Sequence, residues 1–126
     1  MKYLVSAMLI VVGVIHLLPF SGVLGSGRLT SLYGLDFNEP NLEVLMRHRA
    51  VIFGLLGAFM VFAAFQPAYQ TIAFVGGFIS VLSFLYLAWS VGGYNAQVGR
   101  VFLADVVALG CLIVGSAAHI FLQREA

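Results

Sequence analysis

The stretch "AVIFGLLGAFMVFAAFQPAYQTIAFVGGFISVLSFLYLAWSVGGYNAQVG" (residues 50–99) contains no Asp, Glu, Lys or Arg. About 20 apolar residues carry a helix across the hydrocarbon core of a bilayer, so this run is too long for one crossing and suits two. It is interrupted once, at "AAFQPAYQT" (residues 63–71), where Gln66, Pro67 and Gln70 supply the polar and turn-forming residues of a tight hairpin. Two further charge-free runs, residues 3–27 and 106–123, lie on either side. Four membrane-spanning helices follow, at about 3–25, 40–66, 69–91 and 98–122, joined after the first by an interfacial link over 26–39. The expected fold is all-α: an integral membrane four-helix bundle forming one domain over residues 1–126. Strands are not expected, because unpaired backbone is costly in lipid and no barrel-type alternation occurs.

Composition agrees. Of 126 residues 62% are hydrophobic and 9% charged, against about 25% charged in an ordinary soluble domain, and the mean hydropathy is +1.06. The opening "MKYLVSAMLIVVGVIHLLPF" also has the outline of a signal peptide, but its apolar stretch exceeds the usual 7–15 residues and no cysteine lies near it for a lipoprotein anchor. The single Cys111 falls mid-helix and reports no redox compartment. No basic patch suits nucleic acid. A literal count of basic residues places Arg28, Arg47, Arg49 and Arg100 on one side against Lys2 and Arg124 on the other. Arginines neutralised inside the bundle would not report topology, and Lys2 at the start of the first helix then favours both termini in the cytoplasm.

The few charges are therefore the informative residues. The link and the start of the second helix, "SGRLTSLYGLDFNEPNLE" (26–43), hold three of the five acids. Leu29, Leu32 and Tyr33 have the spacing of a short amphipathic turn in the interface, and Asn38 before Glu39 and Pro40 reads as an N-cap with proline in the first turn. Within "LMRHRA" (45–50), Arg47 and Arg49 point about 200° apart at 100° per residue. Arg47 shares its side with Glu43, Ala50, Gly54, Ala58 and Val61, small residues of the kind that let membrane helices approach. Arg49 shares its side with the bulky Phe53, Leu56 and Met60. The expectation is that Arg47 looks into the bundle, paired with Glu43 one turn earlier, while His48 and Arg49 reach out to the headgroups. The alternative is that all three are interfacial anchors.

On the fourth helix, Ala104, Ala108, Cys111, Gly115 and Ala118 form a small-residue stripe, with Asp105, Leu112, Ser116 and His119 beside it. Asp105 stands roughly 9 Å into the span at 1.5 Å per residue, deep enough to need a partner or a cavity. Arg47 enters from the same side, so the two are expected to meet, either as a buried ion pair or as a substrate or proton site. His16 on the first helix, three residues before the kink expected at Pro19, is either hydrogen-bonded to a neighbour or functional. Ser80, Ser83, Tyr86 and Ser90 on the third helix read as interhelical hydrogen bonds or the lining of a polar pocket, and Tyr86, Trp89 and Tyr94 also fit an aromatic belt. The candidate polar site is therefore Arg47, Asp105, His16, Glu43, Tyr86 and His119.

Several chemistries lack their residues. His16 and His119 are separated in depth by on the order of 15 Å, too far for bis-histidine haem ligation. There is no HExxH, CxxC, carboxylate cluster or phosphate-binding glycine loop, and no cofactor or metal is implied.

The segment "LYGLDFNEPNLEVLMRHRAVIFGLLGAF" (32–59) and the four-span layout resemble the DoxX-like kind of small bacterial inner-membrane protein. That resemblance implies a compact bundle with a redox- or lipid-linked role and carries over no functional residue. Membrane-bound glutathione transferases are the nearest enzymatic look-alike, but their Arg, Asn and Glu pattern is missing after Arg47. Two function classes stay open. One is a bundle that serves as an accessory subunit of a larger membrane complex or binds a lipid- or quinone-like ligand, with membrane lipids or further copies of itself as partners. The other is a small intramembrane enzyme, an isomerase or transferase, with Asp105 or His16 as acid/base and Arg47 orienting a hydrophobic substrate.

Overall fold

The computed structural model describes residues 2–36 and 39–125, with Ser26 and Glu125 described by their backbone alone. Four spans of high hydropathy run antiparallel: Lys2–Leu24, Pro40–Ala64, Pro67–Val91 and Ala96–Arg124. The chain is an all-α, multi-pass membrane protein. Its outer surface bears large apolar side chains such as Leu55, Ile72 and Leu103, each more than 60% exposed, which in a water-soluble domain would be an unsustainable surface and in lipid is the matching one.

The first span has two parts. Helix α1 (Lys2–Leu17) gives way to a 3₁₀ segment at Leu18–Leu24. Pro19 is the cause, since it offers no N–H to the carbonyl of Ile15 and cannot continue an α-helix without strain. The expected kink is therefore a tightening of the helix. Helix α2 (Ser26–Tyr33) lies in the link and ends at Gly34, whose φ of 69° is left-handed. Its Leu29 and Tyr33 are buried against Leu32, Met46, Val98 and Val101, so the amphipathic turn read from the sequence is a docked helix.

Helix α3 (Pro40–Ala64) starts with proline in its first turn. Its cap is the Glu39 carboxylate, which accepts from the backbone N–H of Leu42 at 2.8 Å and of Asn41 at 3.2 Å; Asn38, the expected cap, lies outside the described residues. Those two donors hold the Glu39 carboxyl below the usual glutamate range. At the hairpin, Gln66 leads into a short 3₁₀ turn, Pro67–Tyr69, and helix α4 runs Gln70–Val91. Gln70 does more than turn the chain, because its side-chain amide donates to the carbonyls of Ala63 at 3.1 Å and Ala64 at 3.5 Å. Ser6 on α1 donates to the Ala64 carbonyl as well, at 2.6 Å. The otherwise orphaned end of α3 is thus satisfied by side chains. Helix α5 (Ala96–Glu125) is capped by Asn95, whose Oδ1 accepts from the Val98 N–H at 2.8 Å and whose Nδ2 donates to the Tyr33 carbonyl at 2.8 Å.

Around the bundle the order is α1, α3, α4, α5, so α3 and α5 lie across the diagonal without close backbone approach. The tightest crossing joins α1 and α3, where a Cβ on Gly57 would stand 2.7 Å from the Gly13 carbonyl oxygen. The core is filled from all four helices by Leu9, Val12, Met60, Ala73, Val81, Ala108 and Leu112, each fully inaccessible. Pairing of α3 with α4 is the loosest of the neighbouring contacts, and a groove opens between them.

Candidate polar site at the link end of the bundle

Three residues from three helices converge where α1 tightens. His16 is 2% exposed. Its Nδ1 is 2.9 Å from the Val12 carbonyl oxygen, which can only accept, so Nδ1 carries the proton. In the neutral ring Nε2 is then an acceptor, and the Ser80 hydroxyl stands 2.8 Å from it. The tautomer follows from this network.

Arg49 extends from α3 into the same region. Its guanidinium donates to the Tyr33 hydroxyl at 2.6 Å and lies 4.5 Å from the Phe53 ring centre, 5.4 Å from that of Tyr33 and 5.9 Å from that of Phe84. The aromatic faces offset part of the cost of holding a cation here. Phe53 in turn stacks obliquely on His16, ring centres 5.7 Å apart. Asp105 on α5 is only 9% exposed. It has no hydrogen bond and no ion pair within 4 Å among the described residues, and Arg49 is the cation whose field reaches it.

These side chains line a cavity of about 280 Å³. Its walls are apolar at Ile15, Leu18, Pro19, Leu32, Phe53, Val101 and Ala104 and polar at His16, Ser31, Arg49, Gln97, Arg100 and Asp105. Helix α2 forms its roof, tied down by Tyr33. Arg49 also lines the groove between α3 and α4, a space of about 750 Å³ that runs from Leu45 and His48 past Ser80, Ser83 and Phe84 to Phe59 and Gly76.

The expected roles of the two arginines are reversed. Arg47 is 46% exposed at its side chain, donates to the Val23 carbonyl at 2.9 Å and lies 3.7 Å from Glu43; the pairing with Glu43 is present, but on the outside. The small residues on its side of α3 serve close approach: Gly54 packs on the Phe20 ring and Ala50 lies beside Gly22. A face built for contact leaves no room for a guanidinium, and the space lies beside it, where bulky Phe53 and Arg49 hold the helices apart. Met60, expected on the outer side with Arg49, is fully buried. Arg47 and Asp105 do not meet, because Arg47 leaves α3 on the side of Val23 and Glu43.

Tyr86 is also corrected, being 64% exposed and in ring contact with Trp89 at 6.4 Å. His119 is buried at the other end of the bundle, 2.9 Å from the Thr71 hydroxyl. It lines a separate cavity of about 540 Å³ with Lys2, Ser6, Gln70 and Gln123. Of the expected set, His16 and Asp105 therefore share the cavity, and Arg49, Gln97, Arg100 and Ser31 join them unforeseen. Asn95 had a legible signal: "GGYNAQV" places asparagine three residues before an N–H that it caps.

No protein-family model, no curated protein and no solved structure matches this chain.

Proposed function

We propose that the protein binds a membrane amphiphile, lipid- or quinone-like, with its polar head in the cavity between Arg49 and Asp105 and its apolar chain in the groove between α3 and α4. The observation that carries this reading is that Arg49 lines both spaces. A guanidinium has five N–H donors, of which Tyr33 takes one, so the remainder suit a head that accepts hydrogen bonds. Asp105, nine-tenths buried and without a hydrogen-bonding partner among the described residues, suits a head that also donates one. Apolar walls with a few convergent polar groups are the general form of a ligand site.

The DoxX-like resemblance supports a bacterial inner-membrane location, and Lys2 with the acid-rich link supports both termini in the cytoplasm. An accessory role within a larger membrane complex is compatible with ligand binding. The test is native mass spectrometry of the protein extracted in mild detergent. A retained amphiphile is expected in wild type and in Arg47→Gln, with at least tenfold less in Arg49→Gln. Equal retention in the two variants would refute the site. Orientation is read from alkaline phosphatase and fluorescent-protein fusions at the C-terminus; phosphatase activity with a dark fluorescent fusion would reverse it.

A further inference from the structure

Ser80 stands at the wall of the lateral groove with its hydroxyl on the unprotonated nitrogen of a histidine whose other nitrogen is held by a carbonyl. A hydroxyl on a base, and a base on an orienting group, is the arrangement that activates a serine nucleophile. His16 reaches Ser80 from inside the bundle, so the groove side is left to a substrate. We propose that Ser80 and His16 form a nucleophile and general-base pair that cleaves a single-chain carboxylic ester lying in the α3–α4 groove; this rests on the groove being where the amphiphile's chain lies.

The order of groups along the groove matches such a substrate. Arg49 is at the level of Phe84, Ser80 is one helical turn deeper, about 6 Å at 1.5 Å per residue, and Leu56, Phe59 and Gly76 lie deeper still. Head, ester carbonyl and alkyl chain follow in the same sequence in a one-chain acyl ester with an anionic head. Ser80 Oγ bonds to the carbonyl carbon as its proton passes to His16 Nε2, and the Arg49 guanidinium, about one helical turn away along the groove, holds the anionic head and adds only a longer-range favourable field at the oxyanion. The carbon–oxygen bond to the alcohol then breaks, and the alcohol leaves with the proton from His16. Water attacks the acyl-Ser80 ester by the same route, releasing a carboxylic acid and restoring the hydroxyl.

The test uses the purified full-length protein in mild detergent and an alkyl fluorophosphonate, which forms a Ser–O–P bond with loss of fluoride. Intact mass and peptide mapping are expected to place one adduct on Ser80. Ser80→Ala should abolish it, His16→Gln should slow it by about 100-fold or more, and Ser90→Ala, outside the groove, should leave it unchanged. Mapping in the wild-type protein decides the matter even if Ser80→Ala fails to fold. No adduct, or an adduct elsewhere, overturns the proposal and leaves the pair as a hydrogen bond tying α1 to α4. Amphiphile retention is read separately: retention without labelling refutes the nucleophile and keeps the binding site, and labelling without retention does the reverse.

Discussion

Replacing Gly57 by alanine puts the α1–α3 crossing to a quantitative test. The added Cβ would stand 2.7 Å from the Gly13 carbonyl oxygen, 2.9 Å from Leu17 Cγ and 3.1 Å from the Leu17 backbone nitrogen. Carbon and carbonyl oxygen rest comfortably at about 3.3–3.6 Å, so the helices must separate by roughly 0.6 Å at their closest point. Two of the three obstacles are backbone, which no rotamer change removes. Overpacking of this kind costs about 1–3 kcal/mol, while alanine returns about 0.5–1 kcal/mol of helix propensity, leaving a net loss near 1–2 kcal/mol. Gly110→Ala is the matched control, because nothing lies within 4 Å of its added Cβ, and it should stabilise by the propensity term alone. Equilibrium unfolding in mixed detergent micelles, followed by circular dichroism, measures both. A Gly57→Ala protein within 0.5 kcal/mol of wild type, or equal losses in both variants, would refute the close crossing.

Arg49→Met removes the cation held by the Tyr33 hydroxyl and the Phe53 face and should cost about 1–3 kcal/mol, whereas Asp105→Asn breaks no ion pair within 4 Å and should cost less; equal losses in the same unfolding assay would show that the two residues are directly paired. Arg47→Gln should change stability by less than about 1 kcal/mol, as exposed ion pairs do. Asn95→Ala removes the cap of α5 and the tie to α2, so it should cost about 0.5–2 kcal/mol and speed hydrogen exchange over residues 28–33, which mass spectrometry reads. The Glu39 pKa is lower in the folded chain than its ordinary 4.5, so its cap is complete above that value and is lost as pH falls through the folded pKa. The NMR amide signals of Asn41 and Leu42 should titrate below 4.5 in wild type and not in Glu39→Gln.

Spans were legible because lipid imposes one strong rule, and the uncharged run over 50–99 could obey it only by turning at Pro67. The face of α5 was legible too, since Asp105, Ala108, Leu112 and His119 fall on one side of an unbroken helix and all are buried. Helix α3 misled because small residues mark where a neighbour is nearest, which is also where a long side chain cannot enter. Neither the 3₁₀ segment that carries Phe20 onto Gly54 nor the diagonal placement of α3 and α5 has a local signature. Ser80 and His16 were both visible as polar residues, but their pairing depends on which helices are neighbours, and that is decided by packing of the whole bundle.

Gln70 and Ser6 fasten the last carbonyls of α3 at one end of the molecule, whereas the α3–α4 groove is lined by Leu45–Phe59 and Gly76–Leu87 at the other. The two helices therefore behave as the arms of a peg closed at its spring. A small rotation about the clamped end widens the groove mouth most and the core least, so Met60 and Leu112 can stay packed while the gap beside Arg49 changes. In the proposed binding mode the girth of the guest is then set by the stiffness of the hairpin, six residues from Gly76 at the deep end of the groove, and a substitution at Gln70 would alter which molecules enter without touching any of them.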